Sequence, residues 1–284
     1  MPEGEPTRLG PAAGLPITSW DFGGDTDTSA PVALAVHDFT ANGLWFGDLA
    51  DGGSGRFRLV APDLRGRAAS VAAPAAATLA DHIADVVGLA DHIGAATFAV
   101  VGHGTGAVVA LATAAAAPTR VTRVVLIDGP PVLSERPEID WTTAAALVDP
   151  GITRVRRTWA HRDSAIAEGV ASGRLPASGM TRRLRRAVDA EITGSGFGWR
   201  PRLAPATLEQ DWKLLSAWTP PADTRAAVWS IGATHGHRRD DPPVRSRGPG
   251  VVAPSLDTTH TGLLVEPSAL RAIAAAIADP PTLG

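Results

Sequence analysis

The chain alternates short apolar runs with longer stretches in which apolar residues recur at helical spacing. Continuous apolar runs bounded by turn residues predict buried strands. These runs lie at 32–36, 57–64, 98–102, 121–129, 226–232 and 251–255. Helical spacing predicts helices that begin within 41–50 and cover 78–94, 105–117 and 267–279. This alternation is typical of βαβ units, and it predicts an α/β fold with a mostly parallel central sheet flanked by helices.

The alternation stops in the second half of the chain and then resumes. Residues 133–221 combine helical pieces with many charges, and strand-like runs return only after them. We therefore predict an α/β core formed by 1–132 and 222–284, with 133–221 inserted as a helical lid. The 181–191 stretch inside the insert, although basic, has helical spacing and mixed charge, which indicates a solvated helix face.

Tryptophans are concentrated in the predicted lid. Trp141, Trp159 and Trp218 are candidates for enclosing an apolar or aromatic ligand. The alternative is that these rings fill the lid's own core. Trp199 lies in a glycine-rich stretch that predicts a loop.

Composition and charge narrow the classes of partner. The net charge is -3, which gives no basic field for nucleic acid, and the absence of cysteine excludes disulfides and thiolate chemistry. No stretch approaches the ~20 apolar residues of a membrane span. Residues 1–14 lack the apolar segment of a secretory signal. We expect a cytoplasmic protein that acts on a small molecule, without nucleic acid or membrane, and a homodimer stays open.

Polar groups follow several of the predicted strands at the point where each strand ends. His37 and Asp38 follow the run VALAV, the turn GHGTG (102–106) follows FAVVG, and Asp128 closes VVLID. The carboxyl ends of parallel strands meet at one edge of a sheet, which is where ligands bind in this architecture. These residues are therefore candidates for one site.

Six segments, in order and at suitable spacing, make the chain resemble the α/β-hydrolase superfamily over about residues 14–280. They read AVHDFTANG, VAPDLRGRAAS, GHGTG, VVLIDGPP, SIGAT and TTHTGLLVEPSAL. The resemblance implies a triad of serine, acid and histidine in chain order. By position, the nucleophile falls on Gly104, the usual acid on His235 and the histidine on His260.

Gly104 therefore departs from the pattern at the position that carries the nucleophile. The elbow turn has unfavourable backbone angles, which glycine adopts with little penalty. Gly104 removes any covalent step through this residue but leaves the turn intact. Thr105 follows it, but its hydroxyl should point elsewhere, and it is a poor candidate for the nucleophile.

The histidine of the pattern needs a carboxylate to orient it. Asp128 can serve His260, as in superfamily members that carry their acid at this earlier strand end. These include haloalkane dehalogenases and the cofactor-free dioxygenases that open heteroaromatic rings. The sequence resembles the latter at His37, Asp38, His103, Asp128 and His260. The alternative is that Asp128 only shapes the Asp-Gly turn that follows it.

The loop after the first run has its own departure. Asp38 stands where the superfamily usually has glycine, and a carboxylate there opposes an oxyanion. Asp38 either faces the pocket as a candidate acid or base, or caps the turn near Asn42. Backbone amides of Phe39 and Thr105, with His37, are candidates for holding a substrate oxygen.

We therefore expect a non-covalent acid/base enzyme in which His260 is the general base, with no cofactor and no metal. Lyase, isomerase, cyclase or ring-cleavage chemistry would fit, as would hydrolysis by a histidine-activated water. His103 precedes the elbow and is expected to pack under the site. The alternatives are a ligand-binding protein without activity, and a conventional ester, lactone or C–C hydrolase whose serine has been replaced at Gly104.

Overall fold

A computed structural model describes the chain over most of its length. The described residues are 6–11, 14–23, 30–53, 55–129, 157–176, 179–196, 198–219, 225–235, 250–252 and 255–279. The strands are β1 Thr7–Leu9, β2 Ser19–Asp21, β3 Val32–Val36, β4 Arg58–Pro62, β5 Phe98–His103, β6 Val121–Ile127, β7 Ile192–Ser195, β8 Gly198–Pro201, β9 Ala227–Ile231, β10 Ala233–His235, β11 Gly250–Val252 and β12 Leu256–Thr259. The helices are α1 Gly47–Gly52, α2 Leu79–His92, α3 Gly106–Ala116, α4 Arg162–Ala171, α5 Arg182–Ala190, α6 Pro205–Ser216 and α7 Pro267–Ala278.

The central sheet has the strand order β1-β2-β4-β3-β5-β6-β9-β11 within the described residues. β1, β2 and β4 pair antiparallel at one edge, and the pairs from β4 onward are parallel. Two buried apolar clusters contain residues of the sheet together with residues of the helices. The predicted α/β fold with a mostly parallel sheet is confirmed.

Local sequence explains the helix that leads to the central strand. α2 begins after Thr78, whose side chain and that of Asp81 form a reciprocal capping box. Gly94 follows the helix with a left-handed φ of +73°, a conformation that favours glycine. Both ends of this helix thus lie within two residues of the predicted bounds.

Two glycines let α3 start close against the sheet. A Cβ at Gly106 would collide with the carbonyl oxygen of Val36 at the end of β3, and one at Gly102 would collide with the backbone of Ala107. The helix that follows has the sequence GAVVALATAAA, and most of its residues are buried. Small residues in this segment therefore place the start of α3 directly beside the ends of β3 and β5.

The part of the predicted lid that the structure describes is not entirely helical. It contains α4, α5 and α6, and between α5 and α6 lies an antiparallel hairpin of β7 and β8. The prediction of a loop around Trp199 is wrong, because Trp199 lies in β8 opposite Gly194. α5 agrees with the helix predicted within 181–191, and it also buries Leu184, Ala187 and Val188 on one side. In the described part of the chain, no helix is long and apolar enough to cross a membrane.

A buried ionic cluster ties α6 to the core. Asp211 of α6 forms an ion pair with Arg67, and its other oxygen lies 2.9 Å from Nε2 of His82 on α2. The side chains of Arg67 and Asp211 are each 1% exposed. Arg67 also donates to the carbonyl oxygen of Phe39, the residue after Asp38. The cluster therefore joins α6 to the loop that follows β3.

Replacing Asp211 with alanine is expected to lower the free energy of unfolding by about 3–5 kcal/mol, because Arg67 would be left buried without its ion pair. Glu209→Ala on the same helix is a matched control. Glu209 pairs with Lys213 at the surface, so its loss should change stability by no more than about 0.5 kcal/mol. Urea unfolding of both variants measures the contrast, and equal losses would contradict it.

Candidate active site

Side chains from separate strand ends meet at the carboxyl edge of the sheet. Asp38 follows β3, Gly104 follows β5 and Asp128 follows β6 of the central sheet. His260 follows β12, which pairs with β10 in a separate two-stranded sheet. Nδ1 of His260 lies 2.7 Å from Oδ2 of Asp128, and Nε2 of the same ring lies 3.3 Å from Oδ2 of Asp38. The imidazole is thus held between two carboxylates, one on each ring nitrogen.

Asp128 is the more deeply placed carboxylate. Its side chain is fully buried, and its Oδ1 accepts a hydrogen bond from the amide of Ala233 at 3.3 Å. Its backbone has a φ of +45°, which is uncommon for a residue with a side chain. Such strain is found where a structure holds a residue for function. Burial disfavours the charge of Asp128, but the hydrogen bond and charge of His260 outweigh it, and its pKa is lowered.

Asp38 faces the same place from the other side of the ring. Its Oδ1 accepts hydrogen bonds from the backbone amide of Thr105 at 2.7 Å and from the Thr105 hydroxyl at 3.0 Å. Burial disfavours its charge, but the hydrogen bond and charge of His260 outweigh burial and hold the pKa of Asp38 well below its usual range. Of the two alternatives for Asp38, the structure places the carboxylate in the site. The Asn42 side chain accepts from Leu44 instead.

Gly104 and Asp38 compete for one volume. Gly104 has a left-handed φ of +54°, and a Cβ built on it would lie within 3.0 Å of both Oδ1 and Cγ of Asp38. The space that an elbow side chain would occupy therefore holds the Asp38 carboxylate. The glycine at position 104 and the aspartate at position 38 are therefore sterically linked, because the absence of a side chain at one makes room for the side chain of the other.

The surroundings of His260 favour its protonated form. Burial alone lowers the pKa of an imidazole, but the hydrogen bonds and charges of Asp128 and Asp38 outweigh it and raise the pKa of His260 to about 10. Its side chain is 11% exposed and that of Asp38 is 14% exposed. The ring and the carboxylate therefore each keep a small exposed fraction.

His103 packs against His260, consistent with the expectation that it lies under the site. The two rings are stacked with centroids 4.1 Å apart and planes 25° from parallel, and Nε2 of His103 donates to the carbonyl oxygen of His260 at 3.2 Å. Burial, reinforced by the charge of His260, lowers the pKa of His103 to about 3. The neutral ring of His103 therefore stacks against the ring of His260, whose protonated form is favoured.

The expected roles of His37 and Thr105 need correction. Nε2 of His37 accepts from the amide of Leu64 at 2.9 Å, and its Nδ1 donates to the carbonyl oxygen of Asp38 at 2.7 Å. Burial lowers the pKa of His37 to about 3. Both ring nitrogens thus hold the backbone, and His37 shapes the loop instead of holding a substrate oxygen. The Thr105 amide donates to Asp38.

The aromatic candidates are distributed differently from the expectation. Phe39 is 1% exposed and packs edge-on against Trp212 with ring centroids 6.2 Å apart, and a role for its amide stays a prediction. Trp159 packs with Ala165 and Ile192 of the insert. The expected substrate contact of Trp159 is therefore corrected to packing inside the insert. The remaining candidates are placed as follows: Trp218 is half-buried against the core, and Trp141 lies outside the described residues.

A comparison with protein-family models identifies the family of this chain. The model described as "alpha/beta hydrolase fold" matches residues 34–219. The chain belongs to the α/β-hydrolase fold family. A search of curated proteins gives no match.

Several solved structures resemble this chain over nearly its whole length. E-2-(acetamidomethylene)succinate hydrolase is 22% identical, with a TM-score of 0.72, over 97% of this chain and 99% of that one. An α/β hydrolase from Novosphingobium aromaticivorans is 22% identical, with a TM-score of 0.68, over 98% and 99%. An esterase of M. tuberculosis is 19% identical, with a TM-score of 0.66, over 99% and 93%. These likenesses show the fold.

In this chain, His235 stands at the position to which the resemblance assigns the acid of the triad. His235 lies at the end of β10 with a side chain 53% exposed, and its Nε2 lies 3.0 Å from Asp257. The carboxylate behind His260 comes from Asp128 instead. Among the described residues, no group of three or more histidine, aspartate or glutamate side chains could hold a metal ion.

The sequence does not predict that Asp38 contacts Gly104, Thr105 and His260 together. A signal for this contact exists in two departures from the superfamily pattern: aspartate instead of glycine after His37, and glycine instead of serine at the elbow. Considered separately, each has a local explanation. Considered together, they indicate that one group has moved into the space left by another.

Proposed function

We propose that the protein is a small-molecule enzyme whose chemistry is acid/base transfer by His260, oriented by Asp128 and paired with Asp38. The observation that carries the proposal is the imidazole held at both nitrogens by carboxylates, at 2.7 and 3.3 Å. A charged histidine in a partly open, otherwise buried site can give a proton to a bound molecule. The hydrolase fold and its enzymatic relatives support an enzyme.

The order of proton transfers follows from the two carboxylates. Because both favour the imidazolium, His260 is a proton donor in the resting protein and becomes a base only after it has given the proton away. Asp128 contacts the histidine and the backbone amide of Ala233, and it acts through the histidine as a positioning residue. It holds Nδ1 so that Nε2 faces Asp38.

The Asp38 carboxylate argues against the conventional serine mechanism at this site. Asp38 accepts the hydrogen bond of the Thr105 backbone amide, which in a serine mechanism would stabilise an oxyanion. It also fills the volume that a serine at Gly104 would need. A hydrolase that merely lacks its serine would keep both the donor and the space free.

The pH dependence of kcat/KM tests which form of His260 is active. If the imidazolium gives the first proton, activity persists through neutral pH and falls as pH rises through about 10, where the folded protein loses that proton. It also falls in acid when Asp38 is protonated, well below the ordinary aspartate range. The substrate for this measurement is identified by screening a panel of small apolar esters, lactones and cyclic ethers for turnover.

Activity that instead increases as pH rises through about 10 would contradict the donor role of His260. Tight binding without turnover of any panel member would favour a ligand-binding protein over an enzyme.

A further inference from the structure

We propose that Asp38 is a nucleophile, and that the protein opens strained cyclic ethers of the oxirane class through an alkyl ester on its Oδ2. This inference rests on the proposed function, because it uses the His260 and Asp128 pair for both proton transfers. It goes further in assigning a covalent step and a substrate class. A missing side chain at Gly104 excludes a covalent bond there but leaves the neighbouring carboxylate available.

The two oxygens of Asp38 have different surroundings. Oδ1 is held by the amide and hydroxyl of Thr105, at 2.7 and 3.0 Å. Oδ2 lies 3.3 Å from Nε2 of His260. Aspartate carboxylates can form covalent intermediates, and they need one oxygen to attack and a stabilised place for charge on the other. Thr105 supplies that place at Oδ1.

In the first step, a lone pair of Oδ2 forms a bond to a ring carbon. The bond between that carbon and the ring oxygen breaks, and its electrons go to the oxygen. The oxygen takes the proton from Nε2 of His260. The products are a neutral hydroxyalkyl ester on Asp38 and a neutral imidazole, and the substrate's ring strain drives the opening.

This step fits an oxirane better than an acyl ester. Attack on a carbonyl carbon moves the negative charge onto the substrate's carbonyl oxygen, whereas the Thr105 donors are directed at Oδ1 of Asp38. Opening an oxirane instead generates a leaving oxygen that needs a proton, which the resting His260 carries. The one proton that His260 can donate is therefore the proton that the leaving oxygen of a cyclic ether requires.

In the second step, His260 acts as the base. The ester has no charge, so only Asp128 still favours the imidazolium, and His260 can take a proton from water as the water attacks Cγ of Asp38. Negative charge develops on Oδ1, beside the Thr105 donors. The bond between Cγ and Oδ2 breaks, and the departing oxygen takes the proton from His260. The new carboxyl group returns one proton to His260, which completes the conversion of oxirane and water to a vicinal diol.

Single turnover in H₂¹⁸O with protein in excess over styrene oxide tests the covalent step. The ester route predicts a diol with ordinary oxygen and ¹⁸O in the peptide that contains Asp38, because the diol carries away Oδ2. A direct attack by water would place ¹⁸O in the diol and none in Asp38. That result would overturn the nucleophile but leave acid/base catalysis by His260 standing.

Variants separate the two steps and guard against misfolding. Asp38→Asn keeps the volume and can still accept from Thr105, and it should lose turnover of styrene oxide while remaining folded by circular dichroism at the assay temperature. Benzyl bromide needs no proton for its leaving group, so His260→Gln should accumulate a benzyl ester on Asp38, seen by intact mass and peptide mapping. Asp38→Asn should show no such adduct at position 38.

Two further outcomes keep the proposals distinguishable. If the wild-type protein hydrolyses none of styrene oxide, propylene oxide and cyclohexene oxide, the substrate class is overturned. If wild-type turnover carries the ¹⁸O label into Asp38 but His260→Gln turns over at the wild-type rate, the nucleophile stands and the proposed function of His260 fails.

Discussion

Replacing His260 with glutamine is expected to reduce kcat by ~10²–10⁴-fold, the usual contribution of a positioned acid or base. Glutamine keeps a donor and an acceptor near the two carboxylates but cannot carry the proton. The histidine touches both Asp128 and Asp38, so its loss removes the donor and the later base at once. Steady-state kinetics on a substrate of the wild-type protein measures the effect.

The matched control is His235→Gln. His235 also lies beside a carboxylate, Asp257 at 3.0 Å, but its side chain is 53% exposed. We expect its kcat to equal that of the wild type. Circular dichroism and thermal unfolding separate lost chemistry from lost folding, since His260 is buried between charges. Unchanged turnover in His260→Gln would contradict acid/base catalysis by this residue.

Exchanging the groups at positions 38 and 104 is expected to create a serine nucleophile. In Asp38→Gly with Gly104→Ser, the carboxylate no longer fills the elbow, and the Thr105 amide is released from it. The serine would face His260, which Asp128 still orients. The expected result is a burst of p-nitrophenol from p-nitrophenyl acetate, the signature of an accumulating acyl-enzyme.

The single variants are the controls for this exchange. Gly104→Ser alone places a Cβ within 3.0 Å of Asp38 on a backbone with a φ of +54°. The left-handed backbone alone costs about 1–3 kcal/mol for a residue with a side chain, so this variant should be less stable and show no burst. Asp38→Gly alone should show none either. An equal burst from Gly104→Ser alone would mean that Asp38 does not block the elbow.

Much of the scaffold is predictable from short-range pattern. The apolar runs predict β3, β5 and β6 because a strand buried on both faces reads as continuous apolar sequence. The helix from Leu79 to His92 is delimited by its capping box and by Gly94. The shared edge then follows from the handedness of the crossovers.

Other features depend on distances between segments far apart in sequence. Trp199 lies in a strand because β7 pairs with it, and a glycine-rich stretch does not reveal that partner. Asp38 has two local options, and the close packing of α3 against β3 puts the Thr105 amide within its reach. The contact between His260 and Asp128 joins residues 132 positions apart. The sequence predicts it through the resemblance to superfamily members that carry their acid at this strand end, not through local pattern.

The shared volume of Asp38 and Gly104 also restricts how such a site can arise by single mutations. Starting from a serine elbow with glycine at position 38, a carboxylate gained first would clash with the serine, whereas a serine lost first leaves an inactive but unstrained turn. The order of mutations that avoids the clash is therefore loss of the serine first and gain of the carboxylate second. Among descendants of such an ancestor, we expect the two positions to covary, with a carboxylate at one only where the other is glycine.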